Sequence, residues 1–85
     1  MTESRILGIY INERVKDATL IQKTLTKFGC SIKTRLGLHE VANEFCSPSG
    51  LILLELYGDL NECLKLENEL LTIEGIQVQK MVFNK

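Results

Sequence analysis

The residues with the clearest capacity for chemistry surround the single histidine of the chain. His39 precedes Cys46 by seven residues, and Glu40 and Glu44 lie between them. Imidazole, thiolate and carboxylate groups bind soft or borderline divalent metal ions, and a two-fold axis would let a second subunit complete such a site. The alternative is a surface imidazole at a strand end and an unrelated loop thiol. His39 and Cys46 are therefore a candidate metal pair, with both interpretations open.

A second candidate is the turn Asn12-Glu13-Arg14, which joins the first predicted strand to the first predicted helix. Backbone N–H groups at a helix start are available to an anion or a carboxylate. No GxGxxG or Walker pattern accompanies the turn, so ordinary helix capping explains the same residues.

A third candidate is one side of the second predicted strand. Strict alternation places Lys33, Arg35, Gly37 and His39 on one side of it, which we expect to be the open side of the sheet. There the two cations would hold an anion or pair with Glu55 of the third strand, and the expected use is a salt bridge between subunits. Together with the Asn12 turn, this surface is the predicted effector or partner site.

The sequence lacks the common catalytic patterns. It contains no Ser-His-Asp trio and no Gly-rich phosphate loop, and no carboxylate pair stands out. Cys63 lies on an apolar helical stripe and Cys30 follows Gly29, so both are expected to pack as small hydrophobic residues. We therefore expect a protein that is not an enzyme.

The elements that position these residues occur as a repeat. Each half of the chain reads as an apolar strand, an amphipathic helix, a closing glycine and a second strand, which is the pattern of the split βαβ, ferredoxin-like fold. The repeat predicts one α+β domain over residues 1–85, with a four-stranded antiparallel sheet in the order 4-1-3-2 and two helices on one face. The predicted strands are Ile6–Ile11, Cys30–Leu38, Leu51–Leu56 and Ile76–Phe83.

Helical spacing of apolar residues predicts the two helices. The first is expected over about Lys16–Phe28 and the second from Asp59 or Asn61 to about Ile73. The apolar residues of the second are Leu60, Cys63, Leu64, Leu70, Leu71 and Ile73. Residues 41–50 are expected to form a link that contains Pro48 and Gly50.

Strands one and three are apolar on both sides. Ile6 and Tyr10 alternate with Leu7 and Ile9, although an antiparallel sheet with helices on one face usually carries polar residues on the other. The simplest second cover is another copy of the chain, so the sequence predicts a homodimer or homotetramer joined through the open sheet face.

The composition of the chain limits the binding partners and the cellular compartment that we expect for this protein. The chain has 85 residues, 45% of them hydrophobic, and a net charge of −1. Its cations are dispersed, so direct nucleic-acid binding lacks its electrostatic footprint. The N-terminal apolar run is too short to cross a membrane, and three cysteines without a CxxC pair favour a reducing cytoplasm.

Three segments of the sequence resemble a known family. The runs TRLGLHE, GLILLELYG and LLTIEGIQVQKMVF, most specifically Arg35-x-Gly37 and the passage around Gly75, are similar to the ACT-like family of iron-only hydrogenase system regulators. The resemblance implies a ferredoxin-like domain related to the regulatory half of nickel-responsive repressors, whose sheets pair and form tetramers.

The resemblance also bears on the candidate sites. ACT-type domains commonly bind small effectors near the first strand-to-helix turn, which corresponds here to Asn12, Glu13 and Arg14. The His-x-His pair of the nickel-responsive domain is reduced to His39 alone. The expected role is an effector- or partner-binding regulatory module, and the alternatives are a metal sensor using His39 and Cys46 or a purely structural assembly protein.

Overall fold

A computed structural model shows a four-stranded antiparallel sheet and two helices in the order βαββαβ. The strands are β1 (Glu3–Ile11), β2 (Ile32–Ala42), β3 (Phe45–Leu56) and β4 (Ile76–Asn84), and the helices are α1 (Ala18–Lys27) and α2 (Leu60–Leu71). The sheet order is β2-β3-β1-β4, which is the predicted order 4-1-3-2 read from the other edge. The predicted ferredoxin-like architecture is confirmed.

The structure describes the backbone of residues 2–12, 18–42 and 45–85. It describes the side chains of the same residues except 18, 38–42 and 45–49. None of the described helices is long and apolar enough to cross a membrane.

The core lies between the two helices and one face of the sheet. Alternation along β1 buries Leu7 and Ile9 completely, and β3 adds Leu54. Helix α1 contributes Ile21 and Leu25, as its spacing predicts. Each fully buried residue of this kind contributes about 1.5–3 kcal/mol, so this layer is the main source of folding free energy.

Helix α2 starts and stops where its sequence signals lie. The Asp59 carboxylate accepts a hydrogen bond from the Asn61 N–H at 2.9 Å and caps the first turn. Gly58 and Gly75 have φ of 91° and 90°, a region that glycine enters without steric cost, and they lie at the two ends of the helical segment. Gly75 thus follows α2 with the predicted backbone conformation, whereas Gly29, which was expected to close α1 in the same way, begins a turn of 3-10 helix and has no positive φ.

The buried stripe of α2 differs from the predicted one. Leu66 is completely buried, whereas Leu60, Leu64 and Leu71 are exposed by more than a third. The buried residues Cys63, Leu66, Leu70 and Ile73 follow a spacing of three and four residues, which is one narrow face of a helix. The leucine-rich sequence contains two such stripes, and only contact with the sheet selects between them.

The start of β2 corrects the predicted strand. Residues Gly29–Ser31 form a turn of 3-10 helix, so Cys30 lies outside the sheet and is exposed rather than packed. A register shift follows between Ile32 and Thr34. Because one extra residue inverts the alternation of side chains, the faces predicted for the rest of β2 are wrong.

The connection between β2 and β3 is also shorter than predicted. Residues 41–50 were expected to form a link, but β2 continues to Ala42 and β3 begins at Phe45. Strand β1 pairs with β3 only as far as Gly50. The pairing of Val41 with Cys46 and of Ala42 with Phe45 therefore extends the hairpin beyond the end of β1.

Candidate functional site

The sheet face opposite the helices carries a continuous group of apolar side chains. Ile6 of β1 and Leu53 of β3 are partly buried at its centre. Leu36 of β2 is 51% exposed, and Met81 and Phe83 of β4 are 51% and 54% exposed. We call the surface formed by Ile6, Gly8, Leu36, Leu53, Met81 and Phe83 the open face. Contiguous exposed apolar surface of this kind is typical of interaction sites.

The centre of the open face is a shallow depression at Gly8. Its volume is about 200 Å³, and it lies between Ile6, Leu53, Gln79 and Met81. A methyl group added at Gly8 would contact the Leu53 Cδ2 atom at 3.7 Å and the Gln79 carbonyl oxygen at 3.9 Å. These are ordinary van der Waals distances, so the absence of a side chain leaves a recess that an apolar group of a partner can enter.

At the polar end of the open face, Glu55 contacts two neighbouring side chains of β2. Its Oε1 atom accepts a hydrogen bond from the Thr34 hydroxyl at 3.1 Å, and its Oε2 atom lies 3.9 Å from Lys33 Nζ. Lys33 therefore approaches Glu55 within one chain, whereas the sequence favoured an ion pair between subunits, and the inter-subunit pair stays a prediction.

A second depression of about 250 Å³ lies at the same end of the molecule. Two cations and two carboxylates line it, together with the polar turn after β3; its residues are Glu3, Ser4, Lys33, Glu55, Leu56, Tyr57, Gly58 and Lys85. This mixed charge does not favour a simple anion. The depression was not predicted, because its residues come from β1, from β2, from β3 with the turn after it, and from Lys85, which only the folded chain brings together.

Arg35 does not lie on the open face, which corrects the prediction. It pairs in register with Leu54, a core residue, and its Nη2 group donates a hydrogen bond to the Gln22 Oε1 atom of α1 at 2.9 Å. Gly37 likewise pairs with the buried Ile52. The register shift at the start of β2 places both residues on the helix side, and Leu36 takes their place on the open face.

The described residues of the predicted effector site are far apart within one chain. The Asn12 N–H donates to the Gly75 carbonyl at 3.2 Å, so Asn12 lies at one end of the sheet. Arg35 is level with Leu7, two strands away, which separates the Asn12 and Arg35 backbones by roughly 19 Å. Glu13 and Arg14 lie outside the described residues. A site containing Asn12 and Arg35 would need two subunits.

The predicted metal pair also falls outside the described side chains. The backbone register pairs His39 with Gly50 and Cys46 with Val41, so the two residues occupy neighbouring parts of the β2–β3 hairpin. Among the described side chains, no group of three or more His, Cys, Asp or Glu residues could hold a metal ion. The metal interpretation of His39 and Cys46 stays a prediction.

A buried ion-pair network on the helix side of β1 was not predicted from the sequence. Arg5 is only 7% exposed, and its guanidinium lies 2.8 Å from Glu3 Oε1 and 3.4 Å from Glu67 Oε1. Lys80 of β4 approaches the other oxygen of Glu67 at 3.3 Å. The network joins β1, β4 and α2. All its charges are paired, which indicates a structural rather than a catalytic role.

The described cysteines differ in environment. Cys63 is completely buried, as predicted, and its thiol lies 3.7 Å from the Tyr57 carbonyl oxygen. Burial raises the pKa of the Cys63 thiol above its ordinary value. Because the thiolate is the reactive form, this thiol is a poor nucleophile.

The fold and the open face define a small ferredoxin-like domain with an exposed apolar sheet surface. No protein-family model matches the chain, and no curated protein resembles it in sequence. The uncharacterized protein TM1266 from Thermotoga maritima has a similar structure, with a TM-score of 0.76 and 25% sequence identity. The alignment covers 94% of this chain and 96% of that one.

Two further solved structures share the fold at low sequence identity. One is the PII-like protein CPII from Thiomonas intermedia K12 bound to ADP, AMP and acetate, with 12% identity, a TM-score of 0.51 and coverage of 98% of this chain and 90% of that one. The other is a formyltetrahydrofolate deformylase from Pseudomonas putida KT2440, with 11% identity and a TM-score of 0.53. There the alignment covers 92% of this chain and 28% of the enzyme. These two similarities concern the fold alone.

Proposed function

We propose that this chain is a non-enzymatic regulatory module that self-associates through the open face and binds a small effector or a partner protein at the resulting subunit interface. The observation that carries the proposal is the open face itself. In a chain of 85 residues, Leu36, Met81 and Phe83 are each more than half exposed on one side of the sheet. Small domains gain much of their stability from association, because they bury a small fraction of their surface alone.

The shape of the open face supports a second copy as the partner. Apolar side chains at both margins flank the depression at Gly8, so a two-fold axis that passes between one margin and the depression would bring marginal side chains of one copy to the recess of the other. Such an interface is isologous and closes after two subunits.

The regulatory role in this proposal rests on the family resemblance, which does not identify an effector, and the fold similarity is compatible with it. The sequence resembles the ACT-like regulators of the iron-only hydrogenase system, and the fold is shared with CPII, a PII-like protein. In this proposal the protein acts in the cytoplasm and does not contact nucleic acid directly. The link to hydrogenase metabolism rests on the family resemblance.

Light scattering of the purified chain at high micromolar concentration tests the association. We expect a dimer or a larger closed assembly, and a strictly monomeric protein would refute the proposal. A thermal-shift screen with amino acids, nucleotides and divalent metals then tests ligand binding. An assembly without any shift in melting temperature would favour the purely structural alternative.

The metal-sensor alternative has its own measurement. Stoichiometric binding of Ni, Zn or Co that is lost in His39→Ala would favour it over a small-molecule effector. Cys30→Ala is the control, because Cys30 is the exposed thiol among the described cysteines. Absence of binding in the wild-type protein would rule the alternative out.

A further inference from the structure

Gly8 is a residue of β1 that the backbone geometry does not explain. It lies inside the strand, paired with Leu53 of β3 and Gln79 of β4, where glycine is less favourable than a residue with a side chain. Its φ is not positive, unlike that of Gly58 and Gly75. A Cβ atom would meet its neighbours at 3.7 and 3.9 Å, so close packing does not require glycine either. Because glycine inside a strand often marks the close approach of a ligand, the space above Gly8 is a candidate binding site.

The walls of the Gly8 recess are apolar and are positioned by the sheet. Ile6, Leu53 and Met81 surround the recess. They belong to three adjacent strands that pair in register, Ile6 with Met81 and Gly8 with Leu53. The sheet therefore forms the recess before any ligand arrives. The unbranched thioether side chain of Met81 can adjust to the outline of a bound molecule.

The recess carries one polar side chain at its rim. Gln79 lies directly opposite Gly8 and therefore on the open side, where its amide can donate and accept hydrogen bonds. Lys80 also lines the recess, but its ammonium group lies on the helix side, 3.3 Å from Glu67 Oε2. An ion or a zwitterion would find no free opposite charge among the described residues that line the recess. The lining therefore favours an uncharged ligand.

The volume of the recess limits the size of that ligand. It is about 200 Å³, and an engineered apolar protein cavity of roughly 150 Å³ holds one benzene molecule. A single or fused aromatic ring therefore fits, and a flat ring matches a recess that is shallow. Apolar walls with one polar group that fixes orientation are the usual composition of a small-molecule site.

We propose that the Gly8 recess binds a small uncharged aromatic molecule, and that this ligand competes with the apolar side chain that a second copy would insert there. A ligand that fills the recess leaves no space for a side chain of the partner. Ligand binding and association then weaken each other by the same factor, as thermodynamic linkage requires. The ligand site rests on the recess alone, whereas the competition rests on the proposed function.

Binding of indole tests the site. Indole is uncharged and has one N–H group, and its fluorescence can be followed selectively because the chain contains no tryptophan. We expect saturable binding at one site per chain, at protein concentrations low enough for the chain to be monomeric. Absence of saturable binding up to the solubility limit of indole would overturn the site.

Gly8→Val locates the bound indole, because the branched side chain fills the recess. A change of one methylene in an apolar site alters affinity roughly 10-fold or more, so we expect Gly8→Val to weaken indole binding by at least that factor. Gly8→Ala is the milder variant, since its Cβ lies at ordinary contact distances, and it should weaken binding less. Gln77→Val is the matched control, because Gln77 is exposed on the same side of β4 and lies outside the recess.

Circular dichroism checks that each variant is folded. A folded Gly8→Val that binds indole as tightly as Gln77→Val would overturn the site. If Gly8→Val does not fold, Gly8→Ala decides, and an affinity equal to that of the control would overturn the site.

Sedimentation velocity with and without saturating indole tests the competition. We expect indole to shift the wild-type protein towards the monomer. Leu36→Lys, which alters the open face outside the recess, should be monomeric and bind indole at least as tightly as the wild type. Association that indole leaves unchanged or strengthens would overturn the competition.

The ligand site and the proposed association fail in different ways. A wild-type protein that stays monomeric and binds indole at Gly8 would refute the association and the competition, and it would support the ligand site. A protein that associates without binding indole would refute the ligand site and leave the proposed association standing.

Discussion

Placing a charge at Leu36 is the sharpest test of association through the open face. The side chain is 51% exposed, and complete burial of a leucine contributes about 1.5–3 kcal/mol. Covering the exposed half therefore contributes about 0.8–1.5 kcal/mol for each copy. A two-fold interface contains the side chain twice, so Leu36→Lys removes about 1.5–3 kcal/mol from the dimer. Since about 1.4 kcal/mol corresponds to a tenfold change, the dissociation constant should rise roughly 10- to 150-fold, before the cost of burying two ammonium groups is added.

The assay is sedimentation velocity over a range from low to high micromolar concentration, with denaturant unfolding as the check on monomer stability. A half-exposed surface position should change the free energy of unfolding of the monomer by no more than about 1 kcal/mol. Leu71→Lys is the control, because Leu71 is 58% exposed on α2 and lies away from the open face. The reasoning is refuted if folded Leu36→Lys associates like the wild type, or if Leu71→Lys weakens association to the same extent.

Three further predictions concern the monomer and use urea unfolding as the measurement. Arg5→Met should lower the free energy of unfolding by about 1–3 kcal/mol, because two carboxylates lose a buried partner. Lys27→Met, which removes one partner of an exposed pair, should lower it by less than about 1 kcal/mol. Equal losses in the two variants would contradict the structural role of the network. Leu66→Ala should lower the free energy of unfolding by about 2–5 kcal/mol and Leu64→Ala by clearly less, since Leu66 is fully buried and Leu64 is partly exposed. The reverse ranking would show that the other apolar stripe of α2 packs against the sheet. Burial raises the pKa of Cys63 above 9.0, so the unfolded state loses this proton first and stability should fall as the pH rises above 9.0. Cys63→Ala should show a shallower alkaline loss, and identical slopes would show that this thiol does not contribute.

Local signals in the sequence were sufficient for most of the architecture. The repeat of strand, helix, glycine and strand predicted the order of elements, because turn residues such as Gly75, which has φ of 90°, mark a break between elements locally. Alternation predicted that Leu7 and Ile9 share one side of β1, and the structure shows that this is the buried side. Each of these depends only on residues close in the chain.

The candidate site was less accessible to such reasoning. Patterning indicated that the open face would be apolar, but it assigned Arg35 and Gly37 to that face and left Leu36 out. A single extra residue after Ile32 reverses every later position of β2, and no local signal marked this shift. The distance between Asn12 and Arg35 likewise depends on the strand order, which is set by contacts between segments that are far apart in the chain.

By itself, the sequence determined the ferredoxin-like order of elements and the presence of more apolar sheet surface than one pair of helices can cover. The tertiary structure decided which residues form that surface. It selected Leu66 over Leu64 as the buried residue of α2 and enclosed Arg5 between Glu3 and Glu67. It also left the outward backbone groups of β4 without a neighbouring strand in the described sheet. The physical reason is that periodicity and turn residues act locally, whereas register, burial and edge exposure arise only when segments far apart in the chain are packed together.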